Sequence, residues 1–282
     1  MLPGAVSFSE RLWREMVQEQ ERMDNRGRVI AEVAGKQRLA EDIFCLKLTL
    51  PKAAAIRPGQ FFNLYLEDGA HLLPRPISVC EAKDRELVLV YRRVGFGTNA
   101  FSKLGSGDHL PVLGPLGNGY PLEELDVDAG VLCVGGGLGI PPMLHLTRTL
   151  REAGRTVETV LGFRDESFLL AEFEAAGAPL YTASDTGRIG EKGTVVDVIR
   201  SRSLQPEVIL ACGPLPMLAA LKGFAEEKGI RLYVSLEERM ACGLGACLAC
   251  VCETVGVDEH SRVHNRRVCK DGPVFDAAEV VL

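Results

Sequence analysis

The sequence predicts an α+β multidomain fold in which an antiparallel β-barrel is followed by a parallel α/β domain and a small C-terminal domain. Three observations support this prediction. Short β-rich runs separated by glycine and proline turns fill residues 28–122. Apolar strands alternate with helical stretches over residues 123–238. Residues 239–282 are rich in cysteine and glycine and have little helical pattern.

The composition is that of an ordinary globular protein. The 282 residues are 46% hydrophobic and 25% charged, and no apolar run reaches the roughly 18–20 residues needed to cross a bilayer. A net charge of −6 argues against nucleic acid or an anionic membrane as the main partner. The first residues lack the apolar core of a signal peptide. We therefore expect a cytoplasmic protein whose thiols stay reduced.

Residues 1–27 form a predicted N-terminal helical extension. Ser7 and Glu10 have the spacing of a capping box, and apolar residues recur at helical spacing up to Met23. We predict a helix over residues 7–23 that packs on the next domain, and we assign it no function.

Residues 28–122 contain the strands of the predicted barrel. The β-rich runs span residues 29–33, 43–50, 60–66 and 87–94. This pattern alone fits a sandwich as well as a barrel. The segment from Arg75 to Ser78 lies between two strand candidates and is typical of a turn, while Gly97 and Thr98 follow another strand. A guanidinium is well suited to hold a pyrophosphate, so a ligand-binding role for Arg75 remains open beside the plain turn.

Residues 123–238 predict a parallel sheet with helices between the strands. The predicted strands span residues 130–134, 156–161, 180–183, 208–211 and 230–236. The predicted helices span residues 141–152, 193–201 and 214–228.

Two glycine loops follow strands of this sheet. The first contains Gly135, Gly136, Gly137 and Gly139, and its order of strand, loop and helix favours a dinucleotide phosphate site over a tight structural turn. Pro142 replaces the usual third glycine, so the standard fingerprint is incomplete. The second loop strengthens the case because it also joins a strand to a helix, through Cys212, Gly213 and Pro214. Both loops are predicted at the carboxyl ends of strands, where α/β folds bind ligands.

The C-terminal cysteines have the spacing of a plant-type 2Fe–2S site. Cys242 is followed by Cys247, then by Cys250 after two residues, and Cys269 lies further along the chain. Four thiolates also make a structural zinc site, but such sites usually use paired CxxC hooks and only one is present here. Cys252 is a competing ligand, which we interpret as a packing residue because the two-residue gap selects Cys250.

These motifs, taken in order, resemble the ferredoxin reductase-like flavoproteins, which pair an FAD-binding β-barrel with a Rossmann-like NAD(P)-binding α/β domain. The segment from Met240 to Cys252, followed by that from Val268 to Phe275, is similar to the electron-transfer subunits of B-type dihydroorotate dehydrogenases. The resemblance covers about residues 28–282. The gap between Cys250 and Cys269 is a little long, which predicts an extended hairpin tip over residues 255–267.

The resemblance implies three cofactors, namely FAD, NAD and a 2Fe–2S cluster. It implies that the residues contacting FAD are Arg75, Pro76, Ile77, Ser78, Val90, Tyr91, Arg92, Gly97 and Thr98. Arg75 is expected at the pyrophosphate, and Ser78 is expected near the flavin ring. The glycine loops described above are expected to contact NAD. The cluster is expected on Cys242, Cys247, Cys250 and Cys269. Because the cofactors carry the chemistry, we assign no acid–base catalytic residue.

The resemblance also implies a partner. In this family dihydroorotate is oxidised on an FMN-binding (β/α)₈ barrel, which needs roughly 250 residues and has no room in this chain. We therefore expect a separate dihydroorotate dehydrogenase catalytic subunit, in a heterotetramer with two copies of each chain. Electrons would pass from its FMN through the cluster and FAD to NAD⁺ in pyrimidine biosynthesis.

Two alternative functions remain. One is a subunit of another flavin/iron–sulfur NAD(P)H oxidoreductase, of the ferredoxin:NADP reductase complex or sulfide dehydrogenase type. In the small subunit of that reductase complex an Asp replaces the first cluster cysteine, so Cys242 favours the dihydroorotate family. The other is a non-redox nucleotide-binding protein with structural zinc.

The segment after the strand predicted over residues 156–161 bears on the choice between NAD and NADP. Asp165 or Glu166 could bond the ribose 2′-hydroxyl of NAD, while Arg164 could accept the 2′-phosphate of NADP. We favour NAD, mostly because the resemblance implies it.

Overall fold

The computed structural model describes residues 28–257 and 262–282, so the predicted helix over residues 7–23 lies outside the described residues. The strands are β1 Val29–Arg38, β2 Ile43–Thr49, β3 Phe61–Leu64, β4 Arg75–Lys83, β5 Glu86–Arg92, β6 His109–Leu116, β7 Val131–Gly136, β8 Val157–Phe163, β9 Leu180–Ser184, β10 Glu191–Lys192, β11 Val208–Cys212, β12 Arg231–Ser235, β13 Val251–Glu253, β14 Asn265–Arg267 and β15 Val274–Asp276. The α-helices are α1 Phe96–Phe101, α2 Ile140–Glu152, α3 Leu170–Ala175, α4 Val195–Ser201 and α5 Leu215–Lys228. None of the described helices is long and apolar enough to cross a membrane.

The first six strands close into a barrel in the order β1-β2-β5-β4-β3-β6, and every neighbouring pair is antiparallel. This confirms the predicted barrel and decides against the sandwich. Side chains of β3 alternate between the inside and the outside of the barrel. Phe62 and Leu64 belong to the barrel core, while Phe61 belongs to the core cluster that includes the C-terminal segment.

The sequence suggested a turn from Arg75 to Ser78, but in the structure this segment is the first half of β4. Each of these residues pairs with β3, whereas pairing with β5 is recorded only from Val79 onward. One edge of the segment is therefore without ladder hydrogen bonds, which is where a strand tolerates Pro76. The glycine turn after β5 also differs from the prediction, because it opens helix α1.

The second half of the chain forms a seven-stranded sheet in the order β10-β9-β8-β7-β11-β12-β15. Its first six strands are parallel, as predicted for a Rossmann-like domain, and their apolar side chains are buried. The short helix α3 was missed, since six residues carry little periodic signal.

The C-terminal segment is not a separate layer. Its strand β15 pairs antiparallel with β12 and so completes the edge of the large sheet. The remaining strands β13 and β14 form a hairpin, which agrees with the predicted extended tip, although residues 258–261 lie outside the described residues. The sheet thus continues across residue 239, where the sequence placed a boundary.

The barrel and the large sheet are packed together through a shared hydrophobic cluster that contains Cys80 and Val90 from the barrel and Leu144 from α2. Two polar contacts fix the same interface. The hydroxyl of the fully buried Tyr120 donates to the carbonyl oxygen of Ala211 at 2.8 Å. Arg148 on α2 forms an ion pair with Glu81 on β4 at 2.5 Å.

Candidate functional site

A cavity of about 290 Å³ lies where the barrel meets the large sheet. Strands β4 and β5 supply most of the residues that the sequence assigned to FAD, because the amino end of β4 and the carboxyl end of β5 meet at this side of the barrel. Eight of the nine residues of that set line the cavity, namely Arg75, Pro76, Ile77, Ser78, Val90, Tyr91, Arg92 and Thr98. The structure therefore brings the predicted residues into one cleft.

The ninth residue, Gly97, lies directly under the guanidinium of Arg75. A Cβ atom at this position would lie 2.0 Å from Nε of Arg75, so only glycine leaves room for the side chain. Arg75 Nη1 also donates to the carbonyl oxygen of Leu73 at 2.6 Å. These contacts fix the guanidinium beside the cavity, and a guanidinium is well suited to bind a pyrophosphate.

The cavity lining is mostly apolar, with charged groups at a few positions. The ring of Tyr91 packs into the barrel core against Phe44 and Phe101, so this residue supplies a firm wall and not an exposed hydroxyl. Burial raises the pKa of its phenol, so it stays protonated at neutral pH. An apolar cleft with the Arg75 guanidinium seated over Gly97 fits a flavin nucleotide.

The structure also brings residues into the cavity that sequence reasoning missed. They come from the barrel, the glycine loop and the C-terminal segment, and they are Phe61, Val94, Leu138, Leu236, Glu237, Glu238, Met240 and Pro273. Three of them follow β12, and the rule that placed ligands at the carboxyl ends of parallel strands could have found these. Desolvation by the surrounding protein raises the pKa of the Glu237 carboxyl, and the Arg92 guanidinium opposes this. Pro273 lies in the segment from Val268 to Phe275 that carried the resemblance, but nothing in the sequence placed it at the cleft.

The two glycine loops lie side by side because β7 and β11 are neighbouring parallel strands. A Cβ atom on Gly139 would lie 2.0 Å from the carbonyl oxygen of Cys212, so the loops pack without space for a side chain. Gly137 has a φ of +54° and is half-buried, and Pro214 is exposed. These two residues form the accessible face, whereas Pro142 is buried in the first turn of α2. Burial raises the pKa of the Cys212 thiol to about 12.

The acidic residues proposed for the ribose differ in their surroundings. Glu166 Oε2 accepts a hydrogen bond from the backbone N–H of Glu41 at 2.9 Å, so this carboxylate already ties the barrel to the loop after β8. Arg164 and Asp165 are both exposed. Of the two predicted carboxylates, Asp165 is therefore the better placed to bind a ribose.

The four predicted cluster cysteines occur as two neighbouring pairs. Cys242 and Cys247 contact each other through their thiols, and so do Cys250 and Cys269. Backbone N–H groups also approach the sulfurs. Leu244 donates to Cys242 Sγ at 3.3 Å, and Cys269 donates to Cys250 Sγ at 3.4 Å.

Two pairs suit two iron atoms. Each iron of a 2Fe–2S cluster is bound by two cysteine thiolates and two bridging sulfides. The described residues contain no group of three or more His, Cys, Asp or Glu side chains arranged for a single metal ion. A four-thiolate zinc site would need all four around one centre. The two pairs fit the iron–sulfur cluster that the cysteine spacing predicts.

The surroundings of the two pairs are different. Burial opposes ionisation of Cys242, but backbone N–H groups led by that of Leu244 lower the pKa of its thiol to about 6. Burial and the neighbouring Cys250 raise the pKa of the Cys269 thiol to about 12. Cys252 lies half-buried on β13, packed beside the core, as the sequence interpretation proposed.

Comparisons with known proteins agree with this site. Residues 237–281 match the family described as the iron-sulfur cluster binding domain of dihydroorotate dehydrogenase B. A dihydroorotate dehydrogenase B (NAD(+)), electron transfer subunit, from Geobacillus kaustophilus is 43% identical over 261 residues, which cover 91% of this chain and 99% of that protein. A protein of the same name from Streptococcus pneumoniae serotype 4 is 41% identical and covers 89% of this chain.

This chain belongs to the family of dihydroorotate dehydrogenase B electron transfer subunits. The resemblance predicted from the motifs is thereby confirmed. Among solved structures, the chain is similar to the NADH-dependent reduced ferredoxin-NADP oxidoreductase, with a TM-score of 0.78, 31% identity and coverage of 89% of both chains.

The family's cluster segment is clamped by an arginine in this chain. Arg267 forms a bidentate ion pair with Asp271 at 2.9 and 3.0 Å. Its remaining nitrogen, Nη1, donates to the carbonyl oxygen of Gly245 at 3.1 Å. One side chain therefore ties the loop of the first three cysteines to the segment that carries Cys269. Its hydrogen bonds lower the pKa of Asp271, which keeps the carboxylate charged.

The tip of the same segment is apolar and open to solvent. Leu244 is 58% exposed and Leu248 is 62% exposed, and both lie between cluster cysteines. Cys247, the ligand between them, is exposed as well. The cluster site therefore approaches the surface through an apolar patch, which we define as Leu244, Leu248 and Val251.

Proposed function

We propose that this chain is the electron-transfer half of an NAD-linked dihydroorotate dehydrogenase, and that it holds FAD, NAD and one 2Fe–2S cluster. The observation that carries the proposal is family membership over 91% of the chain, together with four cysteines arranged as two pairs. When bound, these cofactors supply hydride and single-electron transfer, and the protein supplies binding, orientation and spacing.

In this proposal the barrel side of the cleft holds the flavin. Arg75, fixed over Gly97, binds the pyrophosphate, and Ser78 lies near the ring. Arg92 and Glu237 both line the cleft, close enough to interact electrostatically, and set the charge around the ring. Leu138 from the first glycine loop closes the side toward the nucleotide site.

The four cysteines hold the two irons in pairs, Cys242 with Cys247 and Cys250 with Cys269. Two residues of this segment also line the flavin cleft. Met240 lies two positions before Cys242, and Pro273 lies four positions after Cys269. The flavin cleft and the cluster site therefore share a wall of few residues, as a short path for electrons requires.

NAD binds across the two glycine loops, with its phosphates against the backbone of Gly137 and Gly213 and its ribose toward Asp165. The remaining predicted contacts are Gly135, Gly136, Gly139, Pro142, Cys212 and Pro214. Kinetics with NADH and NADPH test the nucleotide. We expect a higher kcat/KM with NADH, and an equal or higher value with NADPH would contradict the assignment.

The partner is the dihydroorotate dehydrogenase catalytic subunit, an FMN-binding (β/α)₈ barrel, in a cytoplasmic heterotetramer with two copies of each chain. Relatives named electron transfer subunit support a catalytic partner. The apolar patch at the cluster site supports contact there, since an exposed apolar surface of this kind marks an interaction site. The functional units are residues 28–122 for FAD, 123–238 for NAD and 239–282 for the cluster.

A second candidate is a subunit of an NADH-dependent reduced ferredoxin-NADP oxidoreductase, which the structural similarity at 31% identity favours. The 43% identity to the dihydroorotate relatives and the cysteine at position 242 favour the first candidate. The experiment that separates the two is co-expression with a catalytic subunit of each type. Copurification and dihydroorotate-dependent NAD⁺ reduction with the dihydroorotate partner alone would support the proposal. Assembly only with the ferredoxin–NADP partner would overturn it.

A further inference from the structure

Asn63 is an unusual residue for its place in the barrel. Its neighbours Phe62 and Leu64 point into the barrel core, so its side chain points the other way, toward the C-terminal segment. Its exposure is 0%, and its Oδ1 atom has no hydrogen-bond partner among the described residues. A leucine at this position would avoid a buried polar group without a partner, so the amide calls for an explanation.

The amide of Asn63 lies against the first turn of the cluster segment. Its Nδ2 atom donates to the carbonyl oxygen of Cys242 at 3.5 Å, the long end of the hydrogen-bond range. A second observation shows how close the contact is. A Cβ atom on Gly243 would lie 2.1 Å from the same nitrogen, and the φ of this glycine is +72°. The glycine therefore leaves the space that the amide fills.

This contact bears on the electrostatics of Cys242. The peptide that follows Cys242 has its carbonyl oxygen held by Asn63, which fixes the direction in which the turn continues. The turn then directs the N–H group of Leu244 at Cys242 Sγ, at 3.3 Å. Donors aimed at a cluster sulfur stabilise the more negative, reduced cluster and raise its reduction potential.

We propose that Asn63 is a positioning residue for the cluster. From the barrel it holds the peptide of Cys242, and thereby keeps the N–H group of Leu244 directed at the sulfur. The inference rests on the proposed cluster and assigns a role to a barrel residue that lies 179 positions from Cys242 in the chain.

The test is a redox titration of the cluster, followed by electron paramagnetic resonance, in wild type, Asn63→Leu and Asn63→Asp. We expect Asn63→Leu to lower the reduction potential, so that the ratio of reduced to oxidised cluster at a given applied potential falls several-fold and the resonance signal changes shape. Asn63→Asp adds a negative charge and should lower that ratio about tenfold, which is about 59 mV for a one-electron couple. NADH oxidation with an artificial acceptor for flavin should be retained.

The matched control is Asn118→Ala. Asn118 also ties the barrel end to the C-terminal segment, through bonds of 3.2, 2.8 and 3.2 Å to Asp271 and Val274, but it does not touch the cysteine turn. Since it makes more and shorter bonds, its loss should lower the melting temperature more than Asn63→Leu does, and should move the potential less.

The potential of Asn63→Leu would be equal to that of wild type if the residue were only structural, and this result would overturn the inference. An equal or larger shift in Asn118→Ala would also overturn it. Should Asn63→Leu not fold, the comparison of Asn63→Asp with Asn118→Ala decides. Failure of the proposed cluster looks different, because wild type would then contain no iron, and failure of the proposed partner would appear as loss of dihydroorotate-dependent NAD⁺ reduction with the cluster potentials unchanged.

Discussion

The flavin cleft and the cluster segment are built in different ways. The cleft is lined by paired strands, since β3, β4 and β5 are joined by ladders that fix the position of each residue. The cluster segment has little regular structure between β12 and β13. Its turn instead uses positive φ angles at Gly243, Gly245 and Leu248, and is held by the side chains of Asn63 and Arg267.

This difference indicates where each site gets its shape. Ladder hydrogen bonds and apolar burial position the cleft residues before any cofactor binds. The cluster turn has few buried apolar side chains, so its geometry depends on a handful of side-chain contacts and on the metal that joins the thiols. We therefore expect perturbations of the cluster segment to be local, and perturbations of the barrel interface to be global.

The largest expected effect is the loss of the cluster. Replacing Cys242, Cys247, Cys250 or Cys269 with Ala should reduce iron per chain severely, because each iron needs both thiolates of its pair. FAD content and NADH oxidation with artificial acceptors should be retained, since the cleft does not depend on the thiols. Iron analysis and flavin spectra of the purified variants measure this.

Cys252→Ala is the control for that series, because Cys252 packs beside the core on β13. It should keep its iron. If Cys252→Ala loses iron while Cys250→Ala keeps it, the ligand set is wrong. If every variant also loses FAD, the two regions are not independent.

A smaller effect is expected at the apolar patch. Leu244→Glu should weaken assembly with the catalytic subunit about tenfold or more, because docking would bury an unpaired charge. NADH oxidation through FAD should be nearly unchanged. Val127→Glu, an equally apolar site at 71% exposure away from the patch, is the matched control. The affinity of each variant for the catalytic subunit is measured by titration. If both variants bind like wild type, the proposed interface is wrong.

The effect with the smallest consequence for electron transfer is on stability at the barrel interface, through the buried His145 on α2. Burial lowers the pKa of its imidazole to about 4, which Glu81 opposes and Arg148 reinforces. Between about pH 6.5 and pH 4 the unfolded chain binds a proton that the folded chain does not, so stability falls as the pH falls. We expect a loss of about 2 kcal/mol between pH 7 and pH 5.

His145→Leu should remove that part of the pH dependence of the unfolding free energy, while a substitution of the exposed His109 should leave it unchanged. Denaturant unfolding at pH 7 and pH 5 measures the difference. An identical slope in wild type and His145→Leu would show that the interface does not exclude the charged imidazole.

Sequence patterns predicted the regular parts of the molecule well, because periodicity reports burial directly. The strands β7 and β11 were visible as apolar runs, and the glycine loops after them marked the carboxyl end of the sheet. The segment from Arg75 to Ser78 was mistaken for a turn because Pro76 is rare in strands, and only the pairing of β4 explains why it is tolerated. Local pattern does not contain that information.

The site itself was predictable where residues carry chemistry and not where they only supply contact. Cysteine spacing selected the four thiols that the structure places in two pairs, but the same spacing does not reveal which thiols are neighbours. The contact of Asn63 with Cys242 joins positions that are distant in the chain, as does the approach of Pro273 to the flavin cleft. Such contacts arise from tertiary packing between distant segments, and the local sequence around each residue does not show them.

The central claim is that this chain is half of an enzyme, and one measurement tests it directly. Dihydroorotate-dependent reduction of NAD⁺ is followed at 340 nm for this chain alone, for the catalytic subunit alone and for the two together. We predict NAD⁺ reduction only when both chains are present, because the described residues contain a flavin cleft, a nucleotide site and a cluster site but no (β/α)₈ barrel. Dihydroorotate-dependent NAD⁺ reduction by this chain alone would contradict the account.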